Sequence, residues 1–274
     1  VSFRHDRTVF LSTDLNTLEE PNAIRAWAGL KGEFIFDNTR NLGINLYSGT
    51  RYKIFAEYYK QVNKSNSDLW VLGLDFRHYQ RIHRTFIWAS RFAASSSLGH
   101  SRLIYYLGSL DNWINFFPNR YQTFDQSVPV DPKVNYAYQT LATNMRGFTQ
   151  NIRNGSNFAV WNNELRLPLF RYLFNKPLSS SFLNNFQVVG FGDLGSAWTG
   201  LSPYSGRNAY DNEVLEANSY KVTIESNRDP IVAGYGFGVR SQILGYFVRL
   251  DWAWGIENKI ILPRIFYFSL NLDF

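Results

Sequence analysis

The sequence predicts an all-β protein, a transmembrane antiparallel β-barrel, on three observations. Apolar and polar residues alternate with period two over segments of about 10–14 residues, longer than the ~5–6 residues usual for strands of soluble sheets. Aromatic residues make up 18% of the 274 residues, and Trp and Tyr fall near the ends of the apolar faces, where interfacial girdles lie. No run of eighteen or more apolar residues offers a transmembrane helix, and mean hydropathy is slightly negative, as alternation makes it.

The last segment shows the pattern most clearly. Phe266, Phe268, Leu270, Leu272 and Phe274 occupy one face, and Tyr267, Ser269, Asn271 and Asp273 the other. Before it, Tyr246, Val248, Leu250, Trp252 and Trp254 oppose Phe247, Arg249, Asp251 and Ala253. Tyr235, Phe237, Val239 and Ile243 oppose Gly234, Gly236, Gly238, Arg240 and Gln242. Upstream, Trp70, Leu72, Leu74 and Phe76 alternate with Val71, Gly73, Asp75 and Arg77, and Tyr52, Ile54, Ala56 and Tyr58 with Lys53, Phe55, Glu57 and Tyr59. Near 157–170, Trp161, Leu165, Leu167 and Leu169 face away from Asn162, Glu164 and Arg166.

The predicted strands are 2–12, 24–38, 50–63, 69–82, 84–97, 102–113, 157–170, 185–198, 230–244, 246–256 and 264–274. Connections at 64–68, 98–101 and 244–245 are short, and those at 114–156 and 199–229 are long and polar. With a periplasmic C-terminus both long connections lie on the outer side, where barrels carry their large loops. Eleven strands is odd, and it puts residue 1 on the extracellular side. Single-chain bacterial barrels have an even number. The expectation is therefore one domain over 1–274 with about twelve strands, or the C-terminal part of a sixteen-stranded barrel that begins upstream. Val1-Ser2-Phe3-Arg4-His5-Asp6 has no basic region followed by an apolar stretch, so the chain reads as a mature form or a fragment.

Several function classes drop out. Net charge is +6, but the Lys and Arg residues are scattered, so the balance suits anionic lipid headgroups and does not make a nucleic-acid footprint. There is no cysteine, and His5, His78, His83 and His100 do not share a metal-binding spacing, so no metal or other cofactor is expected. Ser179-Ser180-Ser181 and Ser95-Ser96-Ser97 lack a nucleophile elbow. The Gly234-Tyr235-Gly236-Phe237-Gly238 spacing is that of small inward residues on a strand. No catalytic constellation appears, and the chain is not expected to be an enzyme.

Three motifs in the C-terminal half carry a resemblance. Met145-Arg146-Gly147-Phe148 lies in the first long connection, followed by Asn157-Phe158-Ala159-Val160 and Glu164-Leu165-Arg166-Leu167-Pro168-Leu169. Phe191-Gly192-Asp193-Leu194-Gly195 follows on the next strand. Gly236-Phe237-Gly238-Val239-Arg240 and Val248-Arg249-Leu250-Asp251 form a strand pair ahead of the aromatic C-terminal residue, and Phe36-Asp37-Asn38-Thr39-Arg40 is a looser upstream match. In order and spacing these are similar to the superfamily of bacterial surface antigens and barrel-assembly proteins that includes BamA and TamA. The likeness covers about residues 140–274 well.

The resemblance implies a large loop that folds back into the barrel, with Arg146, Gly147 and Phe148 at its tip. Arg146 is then expected to meet Asp193 in the lumen, with Glu164 and Gly195 beside it. It implies that Phe266, Phe268, Leu270, Leu272 and Phe274 form a C-terminal assembly signal. The location implied is the outer membrane of a Gram-negative bacterium. The partners implied are outer-membrane lipid and lipopolysaccharide, together with other outer-membrane or periplasmic proteins. It implies a role in inserting or translocating proteins, or alternatively an anchor or pore for a lipase- or phosphoesterase-type enzyme, or a structural subunit of an envelope complex. Superfamily members that work in assembly carry periplasmic polypeptide-transport domains before the barrel, and none is visible in these residues.

Overall fold

An alternating segment becomes a strand when one face can be buried while the other is not, and here most of the alternating segments do so. The computed structural model describes residues 1–8, 23–62, 67–117, 124–125, 128–131, 134–174, 178–205, 208, 212–217, 220–225 and 228–270. In chain order the strands begin with β1 (Ser2–Thr8), β2 (Ala23–Asp37), β3 (Arg40–Gly43), β4 (Leu46–Gln61), β5 (Asp68–His83) and β6 (Phe86–Leu98). Within the first long connection lie β7 (Arg102–Leu107), β8 (Tyr136–Leu141) and β9 (Arg153–Gly155). After β10 (Asn157–Pro168) come two short helices, α1 (Leu169–Leu173) and α2 (Ser181–Asn185). The chain continues through β11 (Gln187–Trp198), β12 (Asn212–Ala217), β13 (Tyr220–Glu225), β14 (Val232–Ile243), β15 (Tyr246–Glu257), β16 (Ile260–Ile261) and β17 (Ile265–Leu270).

One large antiparallel sheet dominates. Its long strands run in the order β1-β2-β4-β5-β6-β10-β11-β14-β15-β17, with β3 laid on β4 and β16 on β15. Register is continuous over most pairs: Asn157–Pro168 match Trp198–Gln187 without a slip. Strands β12 and β13 form a separate hairpin. Strand β7 pairs parallel with β8 and antiparallel with β9 in a third sheet. Among the described residues, β1 and β17 are the two ends of the large sheet and do not pair with each other.

The large sheet wraps its buried face around the 99–156 connection. Trp27, Val71, Ala93, Phe158, Val160, Ala197 and Val232 from six of its strands pack with Leu103, Tyr105, Leu107, Met145, Phe148 and Ile152 from the connection. The β3–β4 turn folds in from the opposite end. Leu46 is buried against Tyr79, Ile87 and Ala89, and Gln187 Nε2 donates to the Ile44 carbonyl at 2.7 Å. The other face is apolar and uncovered: Leu30, Phe34, Ile54, Leu72, Trp88, Leu165, Leu194 and Phe237 are all exposed.

Two expectations need correction. Residues 102–113 do not form a strand of the large sheet. Strand β7 ends at Leu107, Gly108 has a positive φ of 127° and Ser109 one of 69°, and Leu103, Ile104, Tyr105 and Leu107 are all buried. The large sheet still counts twelve strands among the described residues, as expected, because the short β3 and β16 join ten long ones. The directions of the first five strands also reverse. Ser2 lies opposite Gly29 in the middle of β2, and the 62–67 connection lies at the same end as 99–156 and 199–231. Of the predicted 2–12 strand, residues 9–12 lie outside the described residues, as do Leu272 and Phe274.

Candidate functional site: a charged cluster inside the sheet

The inward face of an alternating strand must accept whatever charges its sequence places there, and four strands here place charges at one level. Glu164 and Arg166 come from β10, Asp193 from β11, Arg240 from β14, and Arg249 and Asp251 from β15. All six are buried. Registers Gln187 to Arg240 and Arg240 to Arg249 stack these rows side by side. Charges taken out of water stay ionised only when paired and hydrogen-bonded, and the geometry supplies that pairing.

Arg146 enters from the 99–156 connection. Its Nε donates to Asp193 Oδ2 at 2.7 Å and its Nη2 to Asp193 Oδ1 at 2.7 Å, a fork-to-fork pair. Its backbone N–H donates to Asp193 Oδ2 at 3.2 Å, and its Nη1 reaches Glu164 Oε1 at 2.5 Å. The guanidinium lies over the Phe191 ring, 3.8 Å from the centroid, where a desolvated cation gains from the ring quadrupole. Arg146 and Asp193, joined by the resemblance, therefore lie in direct contact, with Glu164 as a second acceptor.

Glu164 carries more than that. Arg166 Nε donates to its Oε2 at 2.7 Å, and Arg240 donates to Oε2 at 2.9 Å and Oε1 at 2.6 Å. Arg249 Nη2 lies 3.3 Å from Asp251 Oδ2 and 3.8 Å from Glu164 Oε1. Four guanidiniums thus share three carboxylates in one buried cluster. Arg166 also donates to the Asn45 carbonyl at 3.0 Å, which ties the cluster to the β3–β4 turn.

The tip beyond Arg146 is held by backbone. Tyr267 on β17 donates its hydroxyl to the Phe148 carbonyl at 2.6 Å and accepts from the Gly147 N–H at 3.1 Å. Gly147 has φ +93°, and a Cβ there would sit 2.7 Å from the Trp254 carbonyl oxygen. A Cβ at Gly234 would collide with the Arg146 carbonyl. These two glycines let the tip lie backbone to backbone on β14 and β15. Gly195 is buried, and a Cβ there would press on the Met145 sulfur at 3.1 Å. Higher in the connection, Arg153 bridges Glu257 at 2.6 Å and the Asp229 carbonyl at 2.6 Å. Burial pushes the Tyr105 and Tyr136 phenols up to about 12, with the hydrogen bond between Tyr105 and Ser95 pulling the other way.

Of the predicted C-terminal signal, Phe266, Phe268 and Leu270 point outward while Tyr267 and Ser269 are buried. Motif reasoning missed Arg166, Arg240, Arg249, Asp251, Tyr267 and Asn45 as members of the cluster. A signal existed for the first four, because each is charged at an inward position of a strand. Among the described residues no group of three His, Asp or Glu side chains is placed to hold a metal. His78 instead bonds Thr50 at 2.8 Å, His83 bonds Tyr172 at 2.9 Å and His100 bonds Asp68. The cluster as built can hold a loop, orient it and keep it dry. No family model and no curated protein matches this chain, so its function rests on what this cluster and the sheet around it can do.

Proposed function

We propose that the chain is an outer-membrane β-barrel of the kind found in the BamA and TamA superfamily, and that it serves the insertion or translocation of other proteins. The observation that supports the membrane part is polarity turned inside out. Large apolar side chains are exposed on the outward face of strand after strand, while seven charged residues, Arg146, Glu164, Arg166, Asp193, Arg240, Arg249 and Asp251, are buried inside. Lipid rewards that arrangement, and water penalises it. Aromatic rings also meet across neighbouring outward positions, with Tyr58 and Trp70 4.4 Å apart and Trp252 and Phe266 5.3 Å apart.

The functional part is supported by the Arg146-Gly147-Phe148 tip seated on Asp193 and Glu164, the arrangement the superfamily likeness implies. It is supported also by the end strands β1 and β17, which among the described residues do not pair with each other, since a strand edge without a full ladder can template an incoming strand. The partners are then lipid, lipopolysaccharide and unfolded outer-membrane proteins. A second reading has its own observation. An interior occupied from both ends suits an anchor that holds an enzyme at the membrane and passes nothing.

Reconstitution separates the two. Lipid vesicles carrying this protein are expected to speed the folding of a small second barrel several-fold, read as the shift to its compact form on unheated gels. Insertion of this chain without any acceleration would favour the anchor. A chain that remains water-soluble and excluded from vesicles would end the membrane reading.

A further inference from the structure

Strand β17 has one neighbour along the sheet, β15, over six residue pairs. Its other edge is not bare. Ile114 N–H donates to the Phe268 carbonyl at 2.8 Å, and Trp113 bridges Ser269 in antiparallel sense. Side chains reinforce the contact, with the Trp113 ring edge-on to Tyr267 at 5.0 Å and Phe116 edge-on to Phe268 at 5.1 Å. Ile114, Phe116 and Phe117 stay exposed. The same connection touches the opposite end of the sheet. Arg4 of β1 stacks on Tyr138 at 3.6 Å, and Arg25 of β2 donates to the Tyr136 carbonyl at 2.8 Å. One connection therefore spans the gap between the two end strands and occupies the edge that would close it.

We propose that Trp113–Phe117 is a displaceable latch on the β17 edge, and that it competes for this edge with β1. An edge strand is a template for pairing until something covers it. The latch covers it with a short stretch of backbone, where a full ladder would engage every second residue. Latched, the two end strands stay apart. Released, the Phe268–Ser269 edge is free for β1, and the sheet closes. The latch regulates the seam named under the proposed function, but its contacts exist independently of whether the sheet lies in a membrane.

The chain has no cysteine, so introduced pairs report without background. Trp113→Cys with Ser269→Cys places thiols on directly opposed antiparallel positions, within disulfide reach. Ser269→Cys combined in turn with Ser2→Cys, Phe3→Cys, Arg4→Cys or His5→Cys reports closure by β1. The first pair is expected to cross-link under mild oxidation. Yields for the β1 pairs are expected to rise several-fold when Ile114→Pro deletes the donating N–H, and also with Phe116→Ala, which leaves the backbone intact should the proline variant not fold. No cross-link between positions 113 and 269 in folded protein would overturn the latch. So would β1 yields that stay at the parent level in the variant that folds. Failure of parent and variants alike to enter vesicles would sink the membrane reading, while the detergent cross-links still decide the latch.

Discussion

At Glu164, three guanidiniums meet one carboxylate: Arg146 at 2.5 Å, Arg240 at 2.6 Å and Arg166 at 2.7 Å. Glu164→Gln keeps the shape and removes the charge, leaving four buried guanidiniums to share Asp193 and Asp251. Breaking a buried ionic group in this way costs about 3–5 kcal/mol, so the urea midpoint in vesicles should fall sharply; an unchanged midpoint would mean that water reaches the cluster. Arg146→Ala leaves Asp193 without its forked partner and should expose the 99–156 connection to protease. Digestion at the parent rate would show that this pair does not hold the connection. The Arg146–Asp193 pair was legible only through the motif order. Glu164 was legible as an inward carboxylate, but its contacts with Arg240 and Arg249 were not, because these come from β14 and β15, some 70 residues or more away. Period two gives a side chain's face and says nothing about which strand lies opposite it.

Element by element, faces were the most legible property and depth the least. In β15, Phe247, Arg249, Asp251 and Ala253 are buried and alternate with outward Val248, Leu250, Trp252 and Trp254, as the alternation predicts. Residues 102–107 are apolar or aromatic at every position but Arg102, yet they lie inside the sheet with both faces largely buried. An apolar residue facing protein interior looks the same in sequence as one facing lipid. What separates them is Gly99 and Gly108, whose positive φ values of 113° and 127° turn the chain inward at both ends of β7. Leu250→Arg on the outward face of β15 should cost about 2–4 kcal/mol at mid-membrane depth, read against Leu250→Phe by unfolding in vesicles. Equal stability of the two would place Leu250 outside lipid.

For the molecule as a whole, the β3–β4 turn matters beyond filling its end of the interior. Asn45 receives Arg166, Arg166 grips Glu164, Glu164 grips Arg146, and Arg146 grips Asp193 beneath the long connection. The bonds run unbroken from the β3–β4 turn to the Arg146 tip of the 99–156 connection. Such a chain behaves as a tie-rod: slack introduced at one end is felt as play at the far end. Arg146→Ala should therefore speed amide hydrogen exchange around Asn45 and Leu46, which the substituted residue does not touch. Exchange that quickens only in the 99–156 connection would mean the rod is cut at Glu164, and that the turn and the connection respond to their surroundings separately.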